Sequence, residues 1–373
     1  MKILHTSDWH LGMPLALGTM IDDQRYFLQQ LYDIIASNNI DIIICAGDIY
    51  DTGVSNAEAI SIYNEAVTKI CIELNKKMIV IAGNHDSAAR LASCNELLKT
   101  AGLYVYGKIT RDIVPISFDN TDIYPIPFFN RDEIIALFPE FCNKINSQED
   151  ATMVLCDHIR GSMDKSKVNI AVSHSYIVNA ELSESDRAAK VGTATAVSKD
   201  VFDGFDYVAL GHIHKPQIIN EHIRYSGSPI KYSFGNEENH TKQVIIFDTD
   251  TKAQIPIELE MNHDRRSITG TYEEIMSMDR HKNDYLKITV TDRIANLTLL
   301  SELKVKFPFI LELYGKSFNS MNEASSITVD KLGKMNETDI MIKFLEEEYD
   351  FIPNDEQINL FKNTLEKIEE EED

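Results

Sequence analysis

Residues 40–51 read I-D-I-I-I-C-A-G-D-I-Y-D. A short run of β-branched apolar residues stops abruptly at Ala-Gly-Asp. A run this short, bounded by glycine and acidic residues, predicts a strand buried on both faces. Gly47 allows a sharp backbone turn at the strand end, which leaves Asp48 projecting from the carboxyl edge. In open α/β sheets that edge is where ligands and chemistry collect. Taken alone, Gly-Asp after a strand is most simply a turn. Its neighbours along the chain change that reading.

The same arrangement recurs four more times. Residues 1–6 read as a strand followed by T-S-D-W-H-L-G at 6–12, and M-I-V-I-A at 78–82 ends in G-N-H-D. V-N-I-A-V at 168–172 ends in S-H-S, and Y-V-A-L at 207–210 ends in G-H-I-H. Residues 22–37 have helical spacing, with Phe27, Leu31, Ile34 and Ile35 on one side. Residues 56–74 do too, with a stripe from Ile60 through Tyr63, Val67 and Ile70 to Leu74. Strands alternating with helices predict an α/β layered fold. Parallel strands would bring all five carboxyl ends to one edge of the sheet, where Asp8, His10, Asp48, Asn84, His85, His174, His212 and His214 meet.

Carboxylate and amide oxygens with imidazole nitrogens, and no sulfur, describe a metal site. Setting His85 aside, seven candidate ligands are too many for one tetrahedral ion. They suit two ions about 3.5–4 Å apart. Mixed O/N ligation favours Mn, Fe or Zn over Mg. Each motif has a plainer reading: D-x-H as a loop hydrogen bond, H-x-H as a weak metal signal, His174 as a satisfied polar residue near a core. G-N-H-D is more specific, because its residues have little packing rationale. The joint occurrence, each motif directly after a strand, carries the metal reading.

D-x-H, G-D, G-N-H-D, a lone histidine and G-H-x-H, in this order, resemble the signature of the calcineurin-like metallophosphoesterases. Within that superfamily, T-S-D-W-H-L-G, A-G-D-I-Y-D-T-G, A-G-N-H-D-S, D-Y-V-A-L-G-H-I-H-K-P-Q and Y-S-G-S-P-I at 225–230 are similar to the SbcD family of nuclease subunits. The clear motifs span residues 1–230; past 270 the match is one of pattern. The resemblance implies a layered β-sandwich flanked by helices over residues 1–264, a small α+β capping domain over 265–330, and a helical partner-binding segment over 331–373. It implies that Asp8, His10, Asp48 and His214 hold one ion, and that Asp48, Asn84, His174 and His212 hold the other. His85 would lie beside the pair as a catalytic residue without binding it. It further implies two divalent ions, manganese first, and DNA as substrate, cleaved 3′-to-5′ from double-strand ends and endonucleolytically at hairpins and single strands. The implied partner is the SMC-like ATPase SbcC, in a homodimeric complex serving DNA repair, replication and recombination.

Composition bounds these expectations. The 373 residues suffice for two or three domains, and 43% hydrophobic with 25% charged content is ordinary for a soluble protein. No apolar run reaches membrane-spanning length, and the polar start does not read as a signal peptide. Five cysteines, none in a C-x-x-C, predict reduced thiols in the cytoplasm. A net charge of −23 lacks the basic footprint of a DNA binder. Part of it sits in residues 331–373, where five lysines face fourteen acidic residues. Arg90, Arg187, Lys215 and Lys231 are candidates for phosphate contact. Trp9 and Tyr176, beside ligands, are expected in the core. An apolar stripe on acidic helices near 338–372 is expected to serve a partner. Two other classes compete: a two-metal phosphatase acting on small molecules or phosphoproteins, and a scaffold that has lost its metals. Asp-Thr-Gly at 51–53 lacks the arginine of the serine/threonine phosphatases, and the full ligand set argues against a scaffold.

Overall fold

A computed structural model of the chain describes residues 1–15, 18–186 and 196–316, and beyond them 325–328, 338, 341–342, 352–354 and 357–362. The chain divides into two compact units, Met1–Met13 with Met20–Asn262, and Pro14–Thr19 with His263–Asp373.

The first unit is built on two six-stranded sheets. In one, the strands run Gln254–Glu258, Gln243–Asp248, Lys2–Thr6, Ile42–Ala46, Lys77–Ile81 and Leu103–Tyr106 from edge to edge. The last four are parallel, with Ile44 in register with His5 on one side and Ile79 on the other. In the second, the order is Gln217–Ile218, Ile223–Tyr225, Tyr207–Gly211, Val168–His174, Thr121–Ile126 and Ile116–Phe118. Its four inner strands are likewise parallel, and its two edge strands are antiparallel.

The sheets share one core. Ile42, Ile44, Ile79 and Ile81 pack with Ile123, Ile170, Val172 and Ala209, while Tyr207 stacks on Phe247 at a 4.4 Å ring separation. Successive strand residues face opposite ways, so Ile43, Cys45, Met78 and Val80 point away from that layer and are fully buried too. Helices Ile21–Ser37 and Ala57–Thr68 bury Phe27, Leu28, Leu31, Ile35, Ile62 and Ala66. The far face of the second sheet packs Val208, Leu210 and Ala171 against Ile134, Leu155 and Ile159 of helices Arg131–Leu137 and Gln148–Ser162.

The single sheet expected from strand–helix alternation is corrected to two, as the layered β-sandwich implied by the family resemblance has it. The five strand ends belong to two sheets, three ends from the first and two from the second. Every one of these strands is buried on both faces, so none carries the polar alternation that would assign it to a sheet.

The second unit has strand–helix–strand–helix–strand order over residues 265–316. Strands Arg265–Gly270, Tyr285–Ile294, Ile310–Lys316 and Ser325–Thr328 form one sheet, parallel except at the last pairing. Helices Tyr272–Ser277 and Leu297–Lys304 cover it with Ile275, Leu299, Leu300 and Leu303. The apolar stripe near 338–372 lies for the most part outside the described residues. Among the described residues, no helix is long and apolar enough to cross a membrane.

Candidate metal centre

The turns that carry the candidate ligands are held in a backbone conformation that side chains rarely adopt. Asp8, His10, Asp48 and His212 all have positive φ, at 53°, 41°, 51° and 98°. Strain of this kind persists only where the surroundings over-determine it, and it clusters at functional sites. The surroundings are visible. Backbone N–H groups of Asp8, His10 and Leu11 donate to the carbonyls of Gly47, Asp48 and Ile49 at 2.8–3.0 Å, zipping the first two loops together beyond their strands. Asp86, the last residue of G-N-H-D, accepts from Ile49, Tyr50 and Gly83 N–H at 2.9–3.1 Å and so ties in the third loop.

Asp48 lies at the middle of the cluster. Its Oδ1 accepts the His85 backbone N–H at 2.9 Å, while Oδ2 sits 3.3 Å from His174 Nε2 and 3.7 Å from His10 Nε2. Burial opposes its ionisation, yet the His174 and His10 imidazoles hold the carboxyl well below the usual range. Burial likewise lowers His174, and the Asp48 charge more than offsets it, pushing that imidazole up to about 9. On one side, His174 Nε2 and His212 Nδ1 both face Asn84 Oδ1, at 3.0 and 2.9 Å. On the other, His10 Nε2 faces His214 Nε2 at 3.1 Å. Asp8 accepts the His212 backbone N–H through both oxygens, at 3.0 and 3.2 Å.

With its imidazoles neutral, the cluster pits acceptor against acceptor. The His174 Nδ1–H is donated to Ala46 O at 2.8 Å, so a neutral ring presents the Nε2 lone pair to a carboxylate and an amide oxygen. Buried lone pairs that face each other call for positive charge between them, and the raised pKa of His174 expresses the same demand. A metal cation can meet it in place of the proton. Among the described residues, three groups of side chains offer ligand atoms within 4.8 Å of one another: Asp8, His10 and His214; Asp8, Asp48 and His174; and His10, Asp51 and His85. Oxygen and imidazole donors without sulfur suit divalent first-row ions, so the residues present fit a metal site.

Residues 1–216 match the calcineurin-like phosphoesterase family. The chain is also 32% identical over 339 residues to the SbcD component of the nuclease SbcCD from Staphylococcus epidermidis, covering 89% of this chain and 90% of that one. The chain belongs to the calcineurin-like phosphoesterases, and among them to the SbcD family. It is therefore a metallophosphoesterase-family hydrolase with a nuclease relative. Solved structures similar to it include a novel archaeal phosphodiesterase, at 15% identity and a TM-score of 0.34, covering 69% of this chain and 100% of that one. A Thermus thermophilus protein follows at 10% identity and a TM-score of 0.39, covering 69% and 99%.

In this SbcD-family centre all eight residues singled out from sequence fall in one contiguous cluster. His85 stands at its rim: its Nδ1–H donates to Asp51 O at 2.8 Å and its ring packs edge-on against His10 at 4.8 Å. Trp9 is in the core as expected, fully buried against Phe27, with its indole N–H on Thr6 Oγ1. The basic candidates are less available. Arg90 donates to Gly53 O at 2.8 Å, Lys215 pairs with Glu181, and Lys231 is buried and donates to Glu238 O at 2.7 Å. Arg187 lies outside the described residues.

Sequence reading missed the outer shell. Asp51 Oδ1 stands 3.4 Å from His10 Nδ1, without hydrogen-bond geometry. Behind His214 lies Ser185, whose Oγ is 2.7 Å from His214 Nδ1 and 2.8 Å from Glu237 Oε2. Glu237 in turn pairs with Lys242 at 2.6 Å, both side chains wholly buried. Burial works against the Glu237 carboxylate, and Lys242 holds its pKa well down nonetheless. Asp51 and Asp86 stand inside the quoted motifs and could have been flagged there. Ser185, Glu237 and Lys242 sit off the strand ends, with no spacing signal.

Proposed function

We propose that the chain is a two-metal DNA phosphodiesterase, a 3′-to-5′ double-strand exonuclease and a hairpin and single-strand endonuclease. In this reading Asp8, His10, Asp48 and His214 hold one divalent ion, and Asp48, Asn84, His174 and His212 hold the other, with manganese the preferred metal. The observation that carries it is Asp48 Oδ2, placed within 3.7 Å of a ligand nitrogen on either side, from His10 and from His174. A carboxylate so placed can serve both ions.

When bound, such a pair of ions supplies an acidified water and offsets the charge that develops on the phosphate oxygens. The rest falls to the protein. The Asp48 Oδ1–His85 N–H bond keeps the shared carboxylate from rotating. His174 and His214 are held by partners behind the ring, so their orientation precedes substrate. His85 spends Nδ1–H on Asp51 O, which leaves Nε2 as the nitrogen that can hold and deliver a proton to the leaving oxygen.

The SbcD relationship supports the wider assignments. Residues 265–330 would cap the site and help select DNA, and residues 331–373 would dock an SbcC-like SMC ATPase within a homodimeric, cytoplasmic complex acting in DNA repair, replication and recombination. The deciding experiment compares linear duplex DNA, bis-p-nitrophenyl phosphate and phosphomonoesters as substrates with manganese. Cleavage of both diesters, with mononucleotides released from 3′ ends, is expected. Hydrolysis of monoesters with duplex DNA left intact would replace this reading with the phosphatase one.

A further inference from the structure

His214 is gripped from behind by groups that belong to no motif. Its Nδ1 is 2.7 Å from Ser185 Oγ, and that hydroxyl is 2.8 Å from Glu237 Oε2. Glu237 is fully buried and also accepts from Ser233, through N–H at 2.8 Å and Oγ at 2.6 Å. Lys242 Nζ spends its three protons on Glu237 Oε1 at 2.6 Å, Ser228 Oγ at 2.8 Å and the His214 backbone carbonyl at 3.0 Å. Asp186 Oδ1 takes the His214 backbone N–H at 3.0 Å. Main chain and ring of His214 are thus both anchored to one polar network.

The direction of each bond follows from what its atoms can do. An ionised carboxylate only accepts, so the Ser185 hydroxyl proton points at Glu237. The Ser185 oxygen is then left to accept, and its donor is His214 Nδ1–H. That places the proton on Nδ1 and the lone pair on Nε2, the nitrogen facing His10 Nε2 at 3.1 Å. The Lys242 ammonium, paired inside the protein, secures the charge of Glu237 at the head of this chain.

We infer that Ser185, Glu237 and Lys242 are positioning residues that set the tautomer and orientation of His214, so that Nε2 is presented to one metal ion and not the other. The inference rests on the proposed assignment of His214 as a ligand. Such outer-shell partners typically contribute about 10–100-fold in metal affinity. A purely structural role for the network would lower stability without changing the His214 tautomer.

The test uses the full-length, metal-stripped protein with manganese alone as probe. Calorimetric titration of Ser185→Ala should show one of two binding steps weakened by about 10–100-fold and the other unchanged. Ser185→Thr, which keeps the hydroxyl, should recover most of the loss. In ¹⁵N-histidine spectra of the metal-free protein, the resonance pair absent from His214→Ala should report Nδ1–H in the wild type and a tautomer mixture in Ser185→Ala. Wild-type affinity at both steps in Ser185→Ala, or an unchanged tautomer, overturns the inference. The control separates the two layers: His214→Ala that still binds both ions normally overturns the ligand assignment itself.

Discussion

Asp48 and His85 are neighbours in space to which the proposed function gives opposite jobs, and the difference can be measured. Asp48 Oδ2 lies within 3.7 Å of an imidazole nitrogen on either side, so under the proposed assignment Asp48→Ala should strip both ions, whereas His10→Ala or His174→Ala should each weaken one. Elemental analysis showing near-full occupancy in Asp48→Ala would remove the shared carboxylate from the scheme. His85 is half-buried at the cluster rim, its ring edge-on to His10, and among the described residues its Nε2 has no hydrogen-bond partner. His85→Ala should keep both ions and its DNA affinity yet lose at least about a hundredfold in single-turnover cleavage, the scale of general-acid and electrostatic contributions. A group that acts in the transition state lowers turnover while leaving ground-state binding alone. Loss of one metal equivalent would instead make His85 a ligand, in keeping with its proximity to His10 and Asp51.

The loops that follow the strands work as one braced element. Two glycines let them close. Gly47 has φ +92°, and a Cβ there would stand 2.3 Å from His174 Nδ1. At Gly83 an added Cβ would stand 2.1 Å from Asp48 Oδ1 and 2.4 Å from the Asp48 backbone nitrogen. Backbone cannot yield cheaply at that distance, so Gly83→Ala should push the Gly47–Asp48 loop away from the third loop. The expected result is a folded protein, destabilised by about 1–3 kcal/mol as for other overpacked sites, with sharply reduced metal content. Denaturant unfolding and elemental analysis on one preparation check both; a variant with full stability and both ions would show that the loops are looser than their hydrogen bonds indicate.

For the whole chain, the difficulty is charge. A net −23 repels a polyanion, and part of that acidity lies in residues 331–373. Bound divalent ions would put four positive charges at the proposed phosphate site. Truncation after Met335 should therefore leave manganese-dependent cleavage of a small phosphodiester intact while abolishing association with the SbcC-like ATPase. Co-purification of the truncated chain with that partner at full stoichiometry would move the docking site elsewhere.

The strand ends and the side chains that gather at them were legible in the sequence because the signal there is local. An apolar run that ends directly in Gly-Asp or Gly-Asn-His places those side chains at a carboxyl edge, and five repetitions leave little room for coincidence. The helices read at 22–37 and 56–74 were legible for the same reason, as periodicity is a property of short windows. What the linear chain left open was settled by long-range pairing. Strands buried on both faces carry no mark of which sheet they join, so the division of the centre between two sheets emerged only from their register. The brace behind His214 was hidden for a related reason. Ser185, Glu237 and Lys242 lie 29, 23 and 28 residues from it and form a network of hydrogen bonds, whose partners are chosen by the packing of loops and not by any repeat along the chain.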